Sequence, residues 1–106
     1  MKIISPKELY KLIESKSNDY QLIDIREDHE LKICSIGGLH INMYTVTDNI
    51  NKISRNKKVI IYCRSGKRSA AIVKLLENNF QFDNIYNLDG GIMKWRDEID
   101  LSLTQY

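Results

Sequence analysis

The sequence predicts an α/β domain with a mainly parallel central sheet and helices on both faces. Strand-like and helix-like segments alternate along the whole chain, the pattern of consecutive β-α-β units. "KKVIIYC", residues 57–63, is an unbroken β-branched and aromatic run, as expected of a strand buried on both faces. A helix pattern follows it directly, so the strand and helix share one tight turn. With 106 residues, 42% apolar and 28% charged, the chain is expected to be one globular domain spanning residues 1–106.

The first helix starts at Ser5-Pro6-Lys7-Glu8. Ser5 can cap, Pro6 suits the first helical position, and Glu8 can reach back to complete a capping box. Leu9, Leu12 and Ile13 give the helix one apolar stripe to about Lys16. "SKSND" is turn chemistry, and "YQLIDI" reads as a short buried strand. "REDHELKI" is polar with a short helix, "SIGGLHINM" holds a Gly-Gly turn and a short strand, and "TVTDNINKIS" reads as a helix capped near Thr45 or Thr47. After the strand at 57–63, a helix is expected from about Lys67 to Asn78. "FDNIYNLDGG" supplies another strand ending in a Gly pair, and "IMKWRDEI" a final helix with Ile92, Trp95 and Ile99 on one side.

Composition narrows the function classes. A net charge of +2 is too small to argue for nucleic acid, and no window approaches a membrane span. "MKIISPKELYKLIESK" is interrupted by charge too often for a signal peptide, so a cytoplasmic location is expected. Cys34 and Cys63 lie far apart with no CxxC or Cys/His cluster, which suggests neither a zinc site nor a disulfide framework. Both are expected to be free thiols. The run Lys52, Arg55, Lys57 and Lys58 reads as a solvated face.

The chemistry points to Cys63. It lies at the carboxyl end of the most strand-like segment, where open α/β sheets bind ligands. Arg64, Ser65, Gly66, Lys67 and Arg68 then lead straight into a helix, so backbone N–H groups can converge on whatever the sulfur carries. Gly66 lets the backbone curl. The helix N-terminus and the three cations favour negative charge at the sulfur, which suits a nucleophile needing no metal or organic cofactor.

"YCRSGKRSA", together with "LIDIRE" upstream and "LDGGIMKW" downstream, resembles a single-domain rhodanese, a thiosulfate or persulfide sulfurtransferase. The resemblance covers nearly the whole chain in order. It implies a three-layer rhodanese-like fold and a cysteine that cycles through a persulfide. Cys63 would then accept sulfur, and the loop from Arg64 to Arg68, with Ser65 and Gly66, would cradle the persulfide and an anionic donor. Lys67 and Arg68 would act on the donor directly, and Arg64, early in the loop, would either join them in binding substrate or point outward to solvent or a partner. Ser65 and Ser69 could donate hydrogen bonds or cap the helix. Asp24 and Arg26 would be structural support, with Arg26 able to pair with Glu30; Gly90, Gly91 and Trp95 would be packing elements. The acceptor implied is a thiol or cyanide, and the cycle is ping-pong.

The chain departs from the family pattern in "ELKICSIGGLHINM", where a Gly-His-Ile-Pro-Gly-Ala stretch followed by a proline is usual. Cys34, Ser35, Gly37 and Met43 occupy those places. Cys34 is expected to be a buried bystander rather than a second redox thiol, and His29 and His40 to be surface or packing residues. Two rival functions remain open on sequence. A cysteine phosphatase or arsenate reductase would use a similar cationic loop, but its arginine falls six positions after the cysteine, where this chain has Ser69. A non-catalytic protein-binding module would be expected to lack the cysteine or the loop charges, which are all present here.

Overall fold

The computed structural model describes residues 1–106. Five parallel strands form one sheet: β1 (Lys2–Ile4), β2 (Tyr20–Asp24), β3 (Leu39–His40), β4 (Lys58–Tyr62) and β5 (Ile85–Leu88). Their order across the sheet is β1-β5-β4-β2-β3. Four α-helices, α1 (Pro6–Glu14), α2 (Asp28–Ile33), α3 (Lys67–Phe80) and α4 (Gly91–Glu98), and a 3-10 segment at Met43–Lys52 complete the chain.

β4 is central because it is the most continuously apolar segment, and both its neighbours pair with it in register. Leu22 lies opposite Ile60 on one side and Tyr86 opposite it on the other. Side chains alternate across this sheet. Val59, Ile61 and Cys63 join Ile72, Val73 and Leu76 of α3 in one core, whereas Ile60 and Tyr62 join Leu9 of α1 and Ile92 and Trp95 of α4 in the other. Helices therefore cover both faces, as alternation predicts. The chain leaves β2 toward β3 but leaves β4 in the opposite direction, through α3, toward β5. The carboxyl ends of β2 and β4 thus form the crevice at which such sheets bind ligands.

The capping box at α1 forms as the sequence predicts: Glu8 N–H donates to Ser5 Oγ, and Ser5 N–H to Glu8 Oε1, both at 3.1 Å. The helix stops at Glu14, short of Lys16, which takes a left-handed φ of 55°. Two local readings need correction. Residues 2–4 form a strand that the sequence analysis did not assign; only pairing with β5 defines it. The helix expected after Thr45 or Thr47 is instead a kinked 3-10 segment starting at Met43, and Asn42 caps it by accepting from Tyr44 N–H at 2.9 Å. Asn42 precedes the first apolar residue of the segment, and its carboxamide fits that backbone turn.

Candidate active site

β4 delivers Cys63 to the switch point, where it is 1% exposed. The chain curls at Gly66, whose φ of 98° disfavours any side chain, and enters the fourteen-residue helix α3 at Lys67. This curl aims donors at the sulfur. Cys63 Sγ accepts from Gly66 N–H at 3.1 Å and from Ser69 N–H at 3.4 Å, and lies 3.4 Å from Ser69 Oγ. The helix macrodipole adds to the same field.

Asn87 on β5 fixes this arrangement from below. Its Nδ2 donates to the Gly66 carbonyl at 3.1 Å, so its Oδ1 faces Ser69 and accepts the hydroxyl proton at 2.5 Å. With its proton directed to Asn87, Ser69 Oγ turns lone pairs toward Cys63. A protonated Cys63 donates to it, while a charged sulfur is met by the two backbone N–H groups. Sequence reading missed Asn87, although an asparagine inside the apolar strand "NIYNL" is a signal, because a buried amide must be bonded.

The glycine pair at the start of α4 supports the site from the other side. Gly91 has a φ of 62°, and a Cβ there would lie 2.6 Å from the Cys63 carbonyl oxygen. The bare backbone allows Ile92 N–H to donate to that carbonyl at 2.9 Å and Met93 N–H to the Arg64 carbonyl at 3.1 Å. The first turn of α4 therefore holds the outgoing side of the cysteine loop.

The loop cations separate into distinct roles. Lys67 is exposed and makes no ion pair, so its ammonium is available to an anion. Ser65 is exposed as well and bonds to nothing through its hydroxyl. Arg64 lies with its guanidinium 4.9 Å from the centre of the Tyr106 ring. Arg68, expected to meet the donor directly, is instead engaged by Glu30 through two 2.8 Å bonds. Its charge still acts at Cys63, but its strongest donors are occupied.

This pair also corrects the expectation that Arg26 pairs with Glu30. Arg26 is fully buried and bonds Asp24 through Nε at 3.0 Å and Nη2 at 2.8 Å, with Nη2 also reaching the Cys34 carbonyl at 2.8 Å. Burial disfavours its charge, yet the bonds to Asp24 and Tyr106 outweigh that and raise its pKa. Glu30 meets Arg26 through its backbone carbonyl, at 3.4 Å. The Glu30 carboxylate belongs to Arg68, and this bidentate bond, with help from Glu27 N–H and the Tyr106 hydroxyl, lowers its pKa to about 2 despite burial. Asp24 and Arg26 thus brace the loop between β2 and α2 without touching the sulfur.

Neither histidine bonds to Cys63. His40 Nε2 donates to the Arg26 carbonyl at 2.6 Å, and the His29 side chain is 70% exposed. Cys34 is buried in the core on the opposite face of the sheet from Cys63. The largest surface cavity, about 420 Å³, lies between apolar residues such as Ile13, Leu22 and Leu39 and polar ones such as Ser17, Gln21 and Lys57, and contains neither cysteine. Cys63 and its loop lie outside this cavity, at the N-terminus of α3 where the Gly66 and Ser69 N–H groups converge.

The family model for the rhodanese-like domain matches residues 5–98. The chain is 34% identical over 99 residues to the putative sulfurtransferase YtwF of Bacillus subtilis, covering 92% of this chain and 93% of that protein. It is 28% identical to the adenylyltransferase and sulfurtransferase UBA4 of Vanderwaltozyma polyspora, of which it spans only 26%. Among solved structures, SSP1007 of Staphylococcus saprophyticus superposes with a TM-score of 0.80 at 33% identity, over 99% of this chain and all of that one. With the three sequence motifs assembled around one crevice and a family match over most of its length, this chain belongs to the rhodanese-like domain family.

Proposed function

We propose that residues 1–106 form one catalytic domain, a sulfurtransferase that moves a sulfane sulfur from thiosulfate or a persulfide donor to a thiol or cyanide acceptor. In the first half-reaction the Cys63 thiolate attacks the outer sulfur of the donor. A new sulfur–sulfur bond forms to Cys63, and the donor's own bond breaks with its electron pair leaving on sulfite from thiosulfate, or on the donor thiolate from a persulfide. The product is the Cys63 persulfide anion. In the second half-reaction the acceptor attacks the terminal sulfur, and the thiolate is regenerated.

One observation carries this reading: the Gly66 and Ser69 N–H groups converge on Cys63 Sγ at the N-terminus of α3. Such donors stabilise the charge as it shifts between sulfurs and require no base. Lys67 supplies the attraction for an anionic donor. A phosphatase reading is weakened because Arg68 is held by Glu30 and Ser69 faces inward to Asn87. A phosphate would find Lys67 but no free arginine fork at the loop's end.

The test is thiocyanate formation from thiosulfate and cyanide by wild type and Cys63→Ser, with intact mass checked for a reductant-labile sulfur adduct. Turnover and adduct are both expected in wild type and absent in the variant. A folded, reduced wild type that shows neither rules out thiosulfate sulfur transfer and leaves persulfide donors, phosphate-type substrates and protein partners to be tested in turn.

A further inference from the structure

Tyr106 lies outside the residues matched by the family, which end at 98, yet it reaches the cysteine loop by two routes. Its hydroxyl accepts from Arg26 Nη1 at 2.9 Å and donates to Glu30 Oε1 at 2.9 Å. Glu30 in turn holds Arg68, the last cation of the loop. The Tyr106 ring meanwhile carries the guanidinium of Arg64, the first cation of the loop. A single side chain therefore joins Arg64 and Arg68 from outside the loop.

The segment that delivers Tyr106 is itself anchored. Arg96 Nε donates to the Leu103 carbonyl at 2.8 Å, and Leu103 and Tyr106 pack against the core around Trp95 and Ile92. A side chain that only filled space there would need neither a hydroxyl placed between a buried arginine and a buried carboxylate nor a cation on its face.

We propose that Tyr106 is a positioning residue for the cysteine loop: its ring orients Arg64 at the mouth of the site, so that Arg64 and Lys67 together select anionic over neutral reagents at Cys63. The hydroxyl has a separate role, to hold the Glu30–Arg68 pair. This inference rests on Cys63 being the nucleophile, but not on thiosulfate being its donor.

The experiment compares alkylation of Cys63 by iodoacetate and iodoacetamide at low ionic strength, read by peptide mass. The reagents differ chiefly in charge, so their rate ratio reports the field at the mouth without requiring turnover. Tyr106→Leu is expected to lower the iodoacetate-to-iodoacetamide ratio roughly two- to fivefold, the range of an exposed cation–π contact. Tyr106→Phe keeps the ring and is expected to leave the ratio at the wild-type value while lowering Tm by about 4–8 °C. In the Arg64→Ala background, Tyr106→Leu is expected to change the ratio no further.

An unchanged ratio in Tyr106→Leu, or an equal fall with and without Arg64, overturns the proposal. A ratio that falls as far in Tyr106→Phe as in Tyr106→Leu also overturns it, since the ring would then not be the acting group. If folded wild-type Cys63 reacts with neither reagent, the nucleophile reading itself fails and this inference falls with it. Reactive Cys63 without thiosulfate turnover leaves the proposal standing.

Discussion

Replacing Glu30 by glutamine tests how the cysteine loop is tied to the rest of the domain. The carboxylate is 5% exposed, and it binds Arg68 through both oxygens at 2.8 Å. Its pKa falls from the ordinary 4.5 to about 2, chiefly through those bonds. A shift of that size stabilises the charged form by about 3 kcal/mol. The Arg68 side chain is 32% exposed, so water screens part of this, and about 2 kcal/mol is the expected loss in Glu30→Gln at neutral pH. Because the folded value lies below the unfolded one, the contribution is complete above pH 4.5 and disappears as pH falls through about 2. Urea unfolding of wild type and variant from pH 7 to pH 2.5 should show a gap that is constant at the upper end and narrows steadily below pH 4.5. A gap that stays constant to pH 2.5 would refute the ion-pair account and assign the loss to packing.

The free and paired cations should separate in kinetics. Lys67→Ala is expected to raise KM for thiosulfate roughly three- to tenfold, with a smaller effect on an uncharged persulfide donor and little change in Tm. Arg68→Ala should instead destabilise the fold by about 2–3 kcal/mol, because it leaves the Glu30 carboxylate buried without its partner; equal kinetic losses with both donors and no change in stability would contradict this division. Asn87→Leu removes the ties to Gly66 and Ser69 while keeping side-chain volume, and is expected to lower kcat about tenfold with KM for thiosulfate within twofold. An increase in KM without loss of kcat would place Asn87 in donor binding rather than in aiming the loop.

Local chemistry made much of the fold legible. The α1 capping box, the unbroken apolar run of β4 and the glycine-bearing turn into α3 each write their structure within a few residues. β1 could not be read this way, since Lys2–Ile4 is three residues long with no alternation, and only β5 beside it defines the strand. The same limit applies to the site. Cys63, Gly66 and Lys67 lie within five residues and read together, whereas Glu30 on α2, Asn87 on β5 and Tyr106 after α4 are far from them in sequence. Arg68 reads as a donor contact from its own loop, because nothing near it in sequence suggests that a carboxylate on α2 takes both of its terminal nitrogens. Arg26 was likewise offered to Glu30, when Asp24, two residues away on the end of β2, was the better-placed partner.

The sheet that separates the two thiols also determines how the protein meets oxidants. Cys63 faces the α3 side and Cys34 the α1 and α4 side, with a strand layer between them. A disulfide needs Cα atoms within about 7 Å and side chains turned toward each other, so the two cannot cross-link without rupture of the sheet. A sulfenic acid formed on Cys63 therefore has no resolving thiol among residues 1–106. Its rescue from further, irreversible oxidation depends on a thiol that comes from outside. On the proposed function, the crevice through which a sulfur acceptor reaches Cys63 is then also the route by which an external reductant would have to reach it.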